Sequence, residues 1–176
     1  MIKQSLMSLL LLGACSTAQA ITVHNADFIN DADRTNFNGF ENIPNDGTYY
    51  TGGSGPYTED GIQVQQINGD SGNDIWVTCT SCGLEGNFGW YPNGGDFGYT
   101  QITRSGGIDF EDVGMLIGSG WIGGAGEVFW ELLDNGISVM TGSFTPSAGP
   151  NPDYIGFSGV VSTLSCLRIL RHLIST

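Results

Sequence analysis

Two apolar segments flank an Asn-Gly pair in the stretch Trp130-Glu131-Leu132-Leu133-Asp134-Asn135-Gly136-Ile137-Ser138-Val139-Met140. Asn and Gly adopt positive φ more readily than other residues, and a type I′ turn needs positive φ at both central positions. The stretch therefore predicts a β-hairpin with a two-residue loop. Direct pairing across that loop places Leu132 opposite Val139 and Trp130 opposite Thr141.

This pairing divides the hairpin into two faces, because side chains alternate along a strand. One face is apolar, and we expect it to face the core: Val128, Trp130, Leu132, Ile137 and Val139. The other face is mixed: Phe129, Glu131, Leu133, Ser138 and Met140. Two interpretations of the mixed face stay open, namely cover by neighbouring loops or a contact surface.

The rest of the chain continues this pattern of short apolar runs. Gly, Asn, Asp and Pro interrupt the runs about every 8–12 residues, which is typical of antiparallel sandwiches and barrels. We therefore expect one all-β domain over 21–176, an antiparallel β-sandwich of about eight to ten strands. Strands are predicted at 21–24, 38–41, 61–67, 75–78, 97–103, 108–117, 127–134, 137–144, 154–157 and 163–169.

The charge balance limits the classes of partner. The 176 residues include 18 acidic and 5 basic side chains, which gives a net charge of −13. Nucleic-acid binding needs clustered Lys and Arg, and anionic membranes attract the same residues. The charge balance therefore argues against both partners. With 40% hydrophobic residues, the chain is not a disordered acidic tail either.

The first twenty residues are typical of an export signal. Lys3 precedes an apolar run at 6–14, and Ala18-Gln19-Ala20 fits a small-x-small cleavage site. A second processing site competes, because Leu12-Gly13-Ala14-Cys15 resembles a lipoprotein box with Cys15 as the lipid acceptor. We expect cleavage after Ala20, no membrane span in the mature chain, and a secreted, periplasmic or cell-surface location.

The mature chain holds three cysteines. Cys79 and Cys82 have C-x-x-C spacing, and export to an oxidising compartment favours a disulfide between them. Unpaired thiols, a metal site and a redox centre stay open as alternatives, although zinc would need two more ligands. Cys166 lies in an apolar stretch and is expected to be a buried small residue.

Two acidic segments are candidate calcium sites, because calcium takes carboxylate, amide and backbone oxygens. In the stretch 68–74, the candidate ligands are Asp70, Asn73 and Asp74. A second cluster comprises Asp27, Asn30, Asp31 and Asp33. Neither segment matches the EF-hand pattern. Solvated loops with Asx-turns are the alternative interpretation, and a structural calcium ion is the cofactor prediction.

Aromatic residues in loops are candidate ligand contacts. Flat rings beside amides and carboxylates suit a sugar, because the rings stack and the polar groups bind hydroxyls. The candidates are Trp90, Tyr91, Asn93, Asp96 and Trp121. The alternative is that these rings close the ends of the sandwich.

Catalytic patterns are weak, and we expect no enzyme activity. No G-x-S-x-G nucleophile elbow is present, and the only histidines, His24 and His172, lie near the termini. Glu127 and Glu131 share a strand face, but strand rise separates them by about 13 Å, too far for a glycosidase pair.

Several short motifs occur along the chain: Phe40-Glu41, 57–62, Asp109-Phe110, 118–121, 130–133 with Asn135-Gly136, 142–144 and 154–157. Together they resemble a family of small secreted bacterial β-sandwich proteins of the PEP-CTERM-associated type. The resemblance implies an exported jelly-roll-like domain associated with the cell surface or a polysaccharide matrix. It supplies no catalytic residues, and the family's Pro-Glu-Pro sorting tail is absent here.

These observations favour an exported, non-catalytic module that binds glycan or extracellular matrix. The alternative is a structural or protein-interaction protein that uses the mixed face around Phe129, Leu133 and Met140 or a free edge strand. A polysaccharide-active enzyme is the third hypothesis.

Overall fold

The computed structural model describes residues 20–42, 49–52, 56–68, 73–77, 88–91, 98–118, 126–147, 151–159 and 164–171. Strands account for nearly all regular structure in these ranges, which otherwise hold two short 3-10 helices, Asp31–Asp33 and Ser105–Gly107. The strands are β1 Thr22–His24, β2 Tyr49–Gly52, β3 Tyr57–Glu59, β4 Ile62–Ile67, β5 Asn73–Val77, β6 Phe88–Tyr91, β7 Tyr99–Arg104, β8 Val113–Ile117, β9 Val128–Asp134, β10 Ile137–Phe144, β11 Asp153–Ser158 and β12 Leu164–Arg171. Across the same ranges, no helix is long and apolar enough to cross a membrane.

The strands form three sheets in which all pairs of neighbours are antiparallel. The large sheet has the order β10-β9-β12-β7-β4-β3, the first small sheet β1-β11-β8, and the second small sheet β2-β5-β6. The predicted all-β antiparallel class is thus confirmed, with twelve strands in the described ranges where eight to ten were expected.

The main core lies between the large sheet and the first small sheet, which makes the fold a sandwich. The large sheet contributes Trp130 and Leu132, and the small sheet contributes Ile155 and Phe157. The rings of Trp130 and Phe157 meet edge to face with their centroids 4.8 Å apart. Burial of these apolar side chains on both sides supplies the main stabilisation of the two layers.

The second small sheet contacts the same inward face of the large sheet. Trp90 of β6 donates a 2.8 Å hydrogen bond from Nε1 to Oγ1 of Thr100 on β7. Phe40 packs between Tyr57 of β3 and Trp90, with ring centroids 5.6 and 6.2 Å away. The two small sheets therefore lie against different parts of one face.

The central hairpin has the predicted turn but not the predicted register. Asn135 and Gly136 have φ values of 49° and 81°, which fits the type I′ turn. A β-bulge between Ser138 and Met140 then shifts the pairing, so that Leu132 lies opposite Met140.

The bulge reverses the faces of β10 beyond Ser138, and Ile137, which keeps the predicted pairing with Asp134, lies next to the exposed turn. The predicted core positions of Ile137 and Val139 are therefore wrong. These side chains are 71% and 46% exposed, whereas Met140, predicted for the mixed face, packs against the core with Phe144. Gly142, rather than Thr141, lies opposite Trp130. A Cβ atom at Gly142 would lie 2.2 Å from the indole, so this register gives Trp130 the space that it needs.

The N-terminal segment, residues 25–42, crosses from the first small sheet to the β3–β4 turn. The predicted strand at 38–41 is wrong: Asn38 Oδ1 accepts a hydrogen bond from the Phe40 amide, and Phe40 has a φ of 61°. This Asx-type turn breaks the extended conformation. Asn38 Nδ2 also donates to the Ile62 carbonyl at 3.1 Å, which holds the turn against β4.

The register shift predicts opposite effects for adjacent substitutions in β10. Met140→Asp should lower the free energy of unfolding by about 2 kcal/mol or more, because it places a carboxylate against the core. Val139→Asp should change it by less than about 0.5 kcal/mol, because that side chain faces solvent. Urea denaturation of both variants measures the difference. Equal effects, or a larger effect at Val139, would contradict the bulge.

Candidate functional site

Trp90 joins two sheets rather than projecting from a loop. The sequence suggested that it lies beside a turn, but it belongs to β6 and is half-buried. Its indole nitrogen is bound to Thr100, and Phe40 stacks nearby with rings inclined by 27°. The indole N–H group and the ring of Trp90 therefore both make contacts within the protein.

The structure places three other predicted ligand residues on the backbone of the second small sheet. Tyr91 ends β6, and Asn73 and Asp74 begin β5. Asp74 pairs directly with Tyr91 and, on its other side, with Thr51. Two residues predicted for different sites, one for sugar and one for calcium, therefore lie on adjacent strands.

Other sequence predictions fall outside the described residues. These are the export signal at 1–20 except for Ala20, the lipoprotein cysteine Cys15, the sugar contacts Asn93, Asp96 and Trp121, the calcium ligand Asp70, and the disulfide pair Cys79 and Cys82. Cys166 lies in β12, where its backbone pairs with Leu133 of β9.

The second acidic cluster is occupied by contacts within the N-terminal segment. Arg34 forms ion pairs with Asp27 and with Asp31, the latter at 3.3 Å. Asn30 donates to the Asp33 carboxylate at 3.1 Å. In the part of the chain that is described, no group of three or more His, Cys, Asp or Glu residues is arranged to hold a metal ion.

The outward face of the large sheet is mainly polar over β3, β4 and β7. Alternation along β4 and β7 points Val64 and Thr100 inward, where they are buried, and leaves their neighbours outward. The uncharged outward residues of β3, β4 and β7 form what we call the amide face: Thr58, Gln63, Gln65, Ile67, Tyr99, Gln101 and Thr103.

Hydrogen bonds connect the amide face across strands. Gln63 Nε2 donates to Thr58 Oγ1 at 3.4 Å, and Thr103 Oγ1 donates to Gln63 Oε1 at 3.5 Å. Gln65 lies directly opposite Gln101 in the β4–β7 pair. All of these side chains except the exposed Thr58 are half-buried, so the face is ordered while its outer atoms stay accessible.

The amide face is uncharged although the protein has a net charge of −13. Its seven residues contain no ionisable carboxylate, whereas acidic residues cluster in connections such as Asp109–Asp112 and 27–33. Glu131 of β9 is the nearest acidic residue in the outward pattern, two strands away across β12. Amides and hydroxyls both donate and accept hydrogen bonds, so this face suits a neutral polar ligand.

The structure also joins two residues that sequence reasoning left apart. His24 Nε2 and Ser158 Oγ lie 2.6 Å apart, although 134 residues separate them along the chain. The His24 ring stacks on Phe28 with centroids 3.9 Å apart. His24 and Ser158 come together because β1 pairs with β11. No local sequence pattern predicts that strand pairing.

Aromatic side chains pack beside the His24–Ser158 pair. Here Phe28 covers one face of the imidazole, and the Phe28 ring in turn meets Tyr154 edge to face at 6.4 Å. Burial raises the pKa of the Tyr154 hydroxyl, and the nearby Asp27 carboxylate adds to that increase.

Comparison with known proteins gives no match: no family model, no curated protein and no solved structure matches this chain.

Calcium should raise the thermal unfolding temperature if Asp70, Asn73 and Asp74 bind it, since an ion that binds only the folded state stabilises that state. Thermal unfolding of 21–176 in calcium and in EDTA tests this prediction. We expect a rise of several degrees that Asp74→Asn removes and Asp33→Asn keeps. Identical curves in calcium and EDTA would eliminate the metal.

The bond between Trp90 and Thr100 should appear as an energetic coupling. A double-mutant cycle with Trp90→Phe and Thr100→Val is expected to give about 0.5–1.5 kcal/mol in urea denaturation. Thr103→Val, on the outward face of the same strand, is the matched control and should show no coupling. A coupling energy near zero between Trp90 and Thr100 would contradict a stabilising hydrogen bond between β6 and β7.

Proposed function

We propose that this protein is an exported, non-catalytic module that binds glycan of the extracellular matrix or cell surface. The observation that carries the proposal is the amide face. Export rests on the signal pattern of residues 1–20 and on the family resemblance, and the matrix location rests on that resemblance.

The chemistry of the amide face favours polysaccharide over other ligands. Sugar hydroxyls pair with groups that both donate and accept, and Gln63, Gln65 and Gln101 provide such groups in register over two strands. Tyr99 adds an aromatic ring to the same face. Because neighbouring side chains already restrict these groups, binding loses less conformational entropy than it would with free side chains.

The residues Trp90, Tyr91, Asn93, Asp96 and Trp121 remain the second proposed location of the glycan contact. Trp90 supports such a site indirectly, since it fixes β6, the strand that ends at Tyr91, against the large sheet. The two locations make different predictions for substitutions.

A protein-interaction role is the second candidate function, and the exposed apolar side chains of β10 favour it. Ile137 and Val139 lie on an edge strand of the large sheet. The bulge at this edge opposes strand addition, so a partner would dock on side chains. Concentration-dependent oligomerisation that Leu133→Glu abolishes would support this role over glycan binding.

Affinity electrophoresis and calorimetry on a polysaccharide panel test the glycan proposal. Gln65→Ala/Gln101→Ala should weaken binding at least tenfold, whereas Glu111→Ala, in an exposed loop, should leave it unchanged. Unfolding curves of the variants control for stability. Loss only in Tyr91→Ala or Trp121→Ala would move the site to these aromatic residues, and release of new reducing ends would contradict a non-catalytic role.

A further inference from the structure

Strand pairing places one residue from each of five strands in a line across the outward face of the large sheet. Thr141 of β10 pairs with Glu131 of β9, and Glu131 pairs on its other side with Arg168 of β12. Arg168 in turn pairs with Gln101 of β7, and Gln101 pairs with Gln65 of β4. We call this line the polar row, because all five residue types form hydrogen bonds through their side chains.

A second line runs beside the polar row, displaced from it by two residues on each strand. Its register positions hold one serine and four apolar or aromatic residues: Ser143, Phe129, Leu170, Tyr99 and Ile67. We call this line the apolar row. Because a strand rises about 3.4 Å per residue, the two rows lie about 7 Å apart.

The burial pattern leaves both rows accessible from outside. Leu132 of β9 and Thr100 of β7 point inward and are buried, so their neighbours along each strand point outward. Thr141, on the edge strand β10, is exposed. The other described side chains of the two rows, apart from the exposed Ser143, are half-buried and therefore keep part of their surface accessible: Gln65, Ile67, Tyr99, Gln101, Phe129 and Glu131.

The spacing of the rows matches an extended sugar chain that crosses the strands. Neighbouring strands lie about 4.8 Å apart, so the four intervals from β4 to β10 span roughly 19 Å. The distance between strands is close to the length of one pyranose unit in an extended, β-linked chain. Each unit has hydroxyl groups at its edge and C–H groups on its face. A chain in this direction therefore meets the polar row with hydroxyls and the apolar row with C–H groups.

Resting on the proposed function, we infer that the ligand is a neutral, β-linked, extended polysaccharide that lies across five strands, over the polar row and the apolar row. Gln65 and Gln101 bind hydroxyls at one end of the bound segment, and Thr141 binds a hydroxyl at the other end. The polar row holds one acidic and one basic residue and so has no net charge. The net charge of −13 on the whole protein disfavours a polyuronate.

Calorimetry with oligosaccharides of defined length tests the direction of the chain. The probes are β-linked gluco-, xylo- and manno-oligosaccharides. For the series that binds best, affinity should rise about tenfold or more between two and five units and then level off, because five strands offer about five contacts. Malto-oligosaccharides, which are α-linked and curved, should bind about tenfold more weakly. An affinity that is constant from two units onward, or a preference for the α-linked series, would overturn the inference.

Thr141→Val tests the end of the polar row that lies outside the amide face. It removes one hydroxyl group and should weaken binding of the five-unit chain about threefold or more. Thr145→Val is the matched control, because it makes the same exchange at an exposed threonine that follows β10 and belongs to neither row. It should bind like the unaltered protein. Unfolding curves of both variants should match that protein, since both side chains are exposed.

Failure of this inference is distinguishable from failure of the proposed function. If Gln65→Ala/Gln101→Ala loses binding while Thr141→Val binds normally, the chain does not reach β10, and the inference is wrong although the proposed function stands. A preference for alginate over the neutral chains would have the same meaning. If the unaltered protein binds neither the oligosaccharides nor any polymer of the polysaccharide panel, both fail together.

Discussion

The burial of Trp130 opposite Gly142 is the constraint on which the two-layer fold depends. The indole lies over a position that has no side chain, and it meets Phe157 of the opposing sheet. A residue with a Cβ atom at that position would push the indole away from its place. The β-bulge after Ser138 puts the glycine there, so the register of β10 and the core between the sheets are settled together.

Aromatic rings over glycines also organise the outer side of the first small sheet. Gly114 and Gly156 pair directly, and the Tyr154 ring lies so close to both that neither position has room for a side chain. Phe28 covers Gly156 from the N-terminal segment and stacks on His24. The glycines at these positions thus leave room for aromatic rings, and the ring of Phe28 thereby packs the N-terminal segment against the sandwich.

Charged side chains bind the N-terminal segment to the rest of the fold, whereas the amide face has none. Two of the few basic residues, Arg34 and Arg104, hold the N-terminal segment, and acidic side chains serve the same segment as hydrogen-bond acceptors. The amide face stays uncharged. The surface therefore offers a neutral ligand one uncharged area, and the register places Arg168 of β12 opposite Gln101 at its border, with Glu131 of β9 opposite Arg168.

The sequence by itself determined the all-β class and the hairpin turn, because both depend on local properties: the spacing of apolar runs and the positive φ that Asn135 and Gly136 accept. The faces of β10 could not be read in this way, since the bulge depends on the fit between Trp130 and Gly142 across the sheet. The candidate site divides similarly. Trp90 was visible as an aromatic residue, but its bond to Thr100 was not. The amide face arose only when distant strands paired, because pairing, rather than local sequence, decides which side chains share a surface.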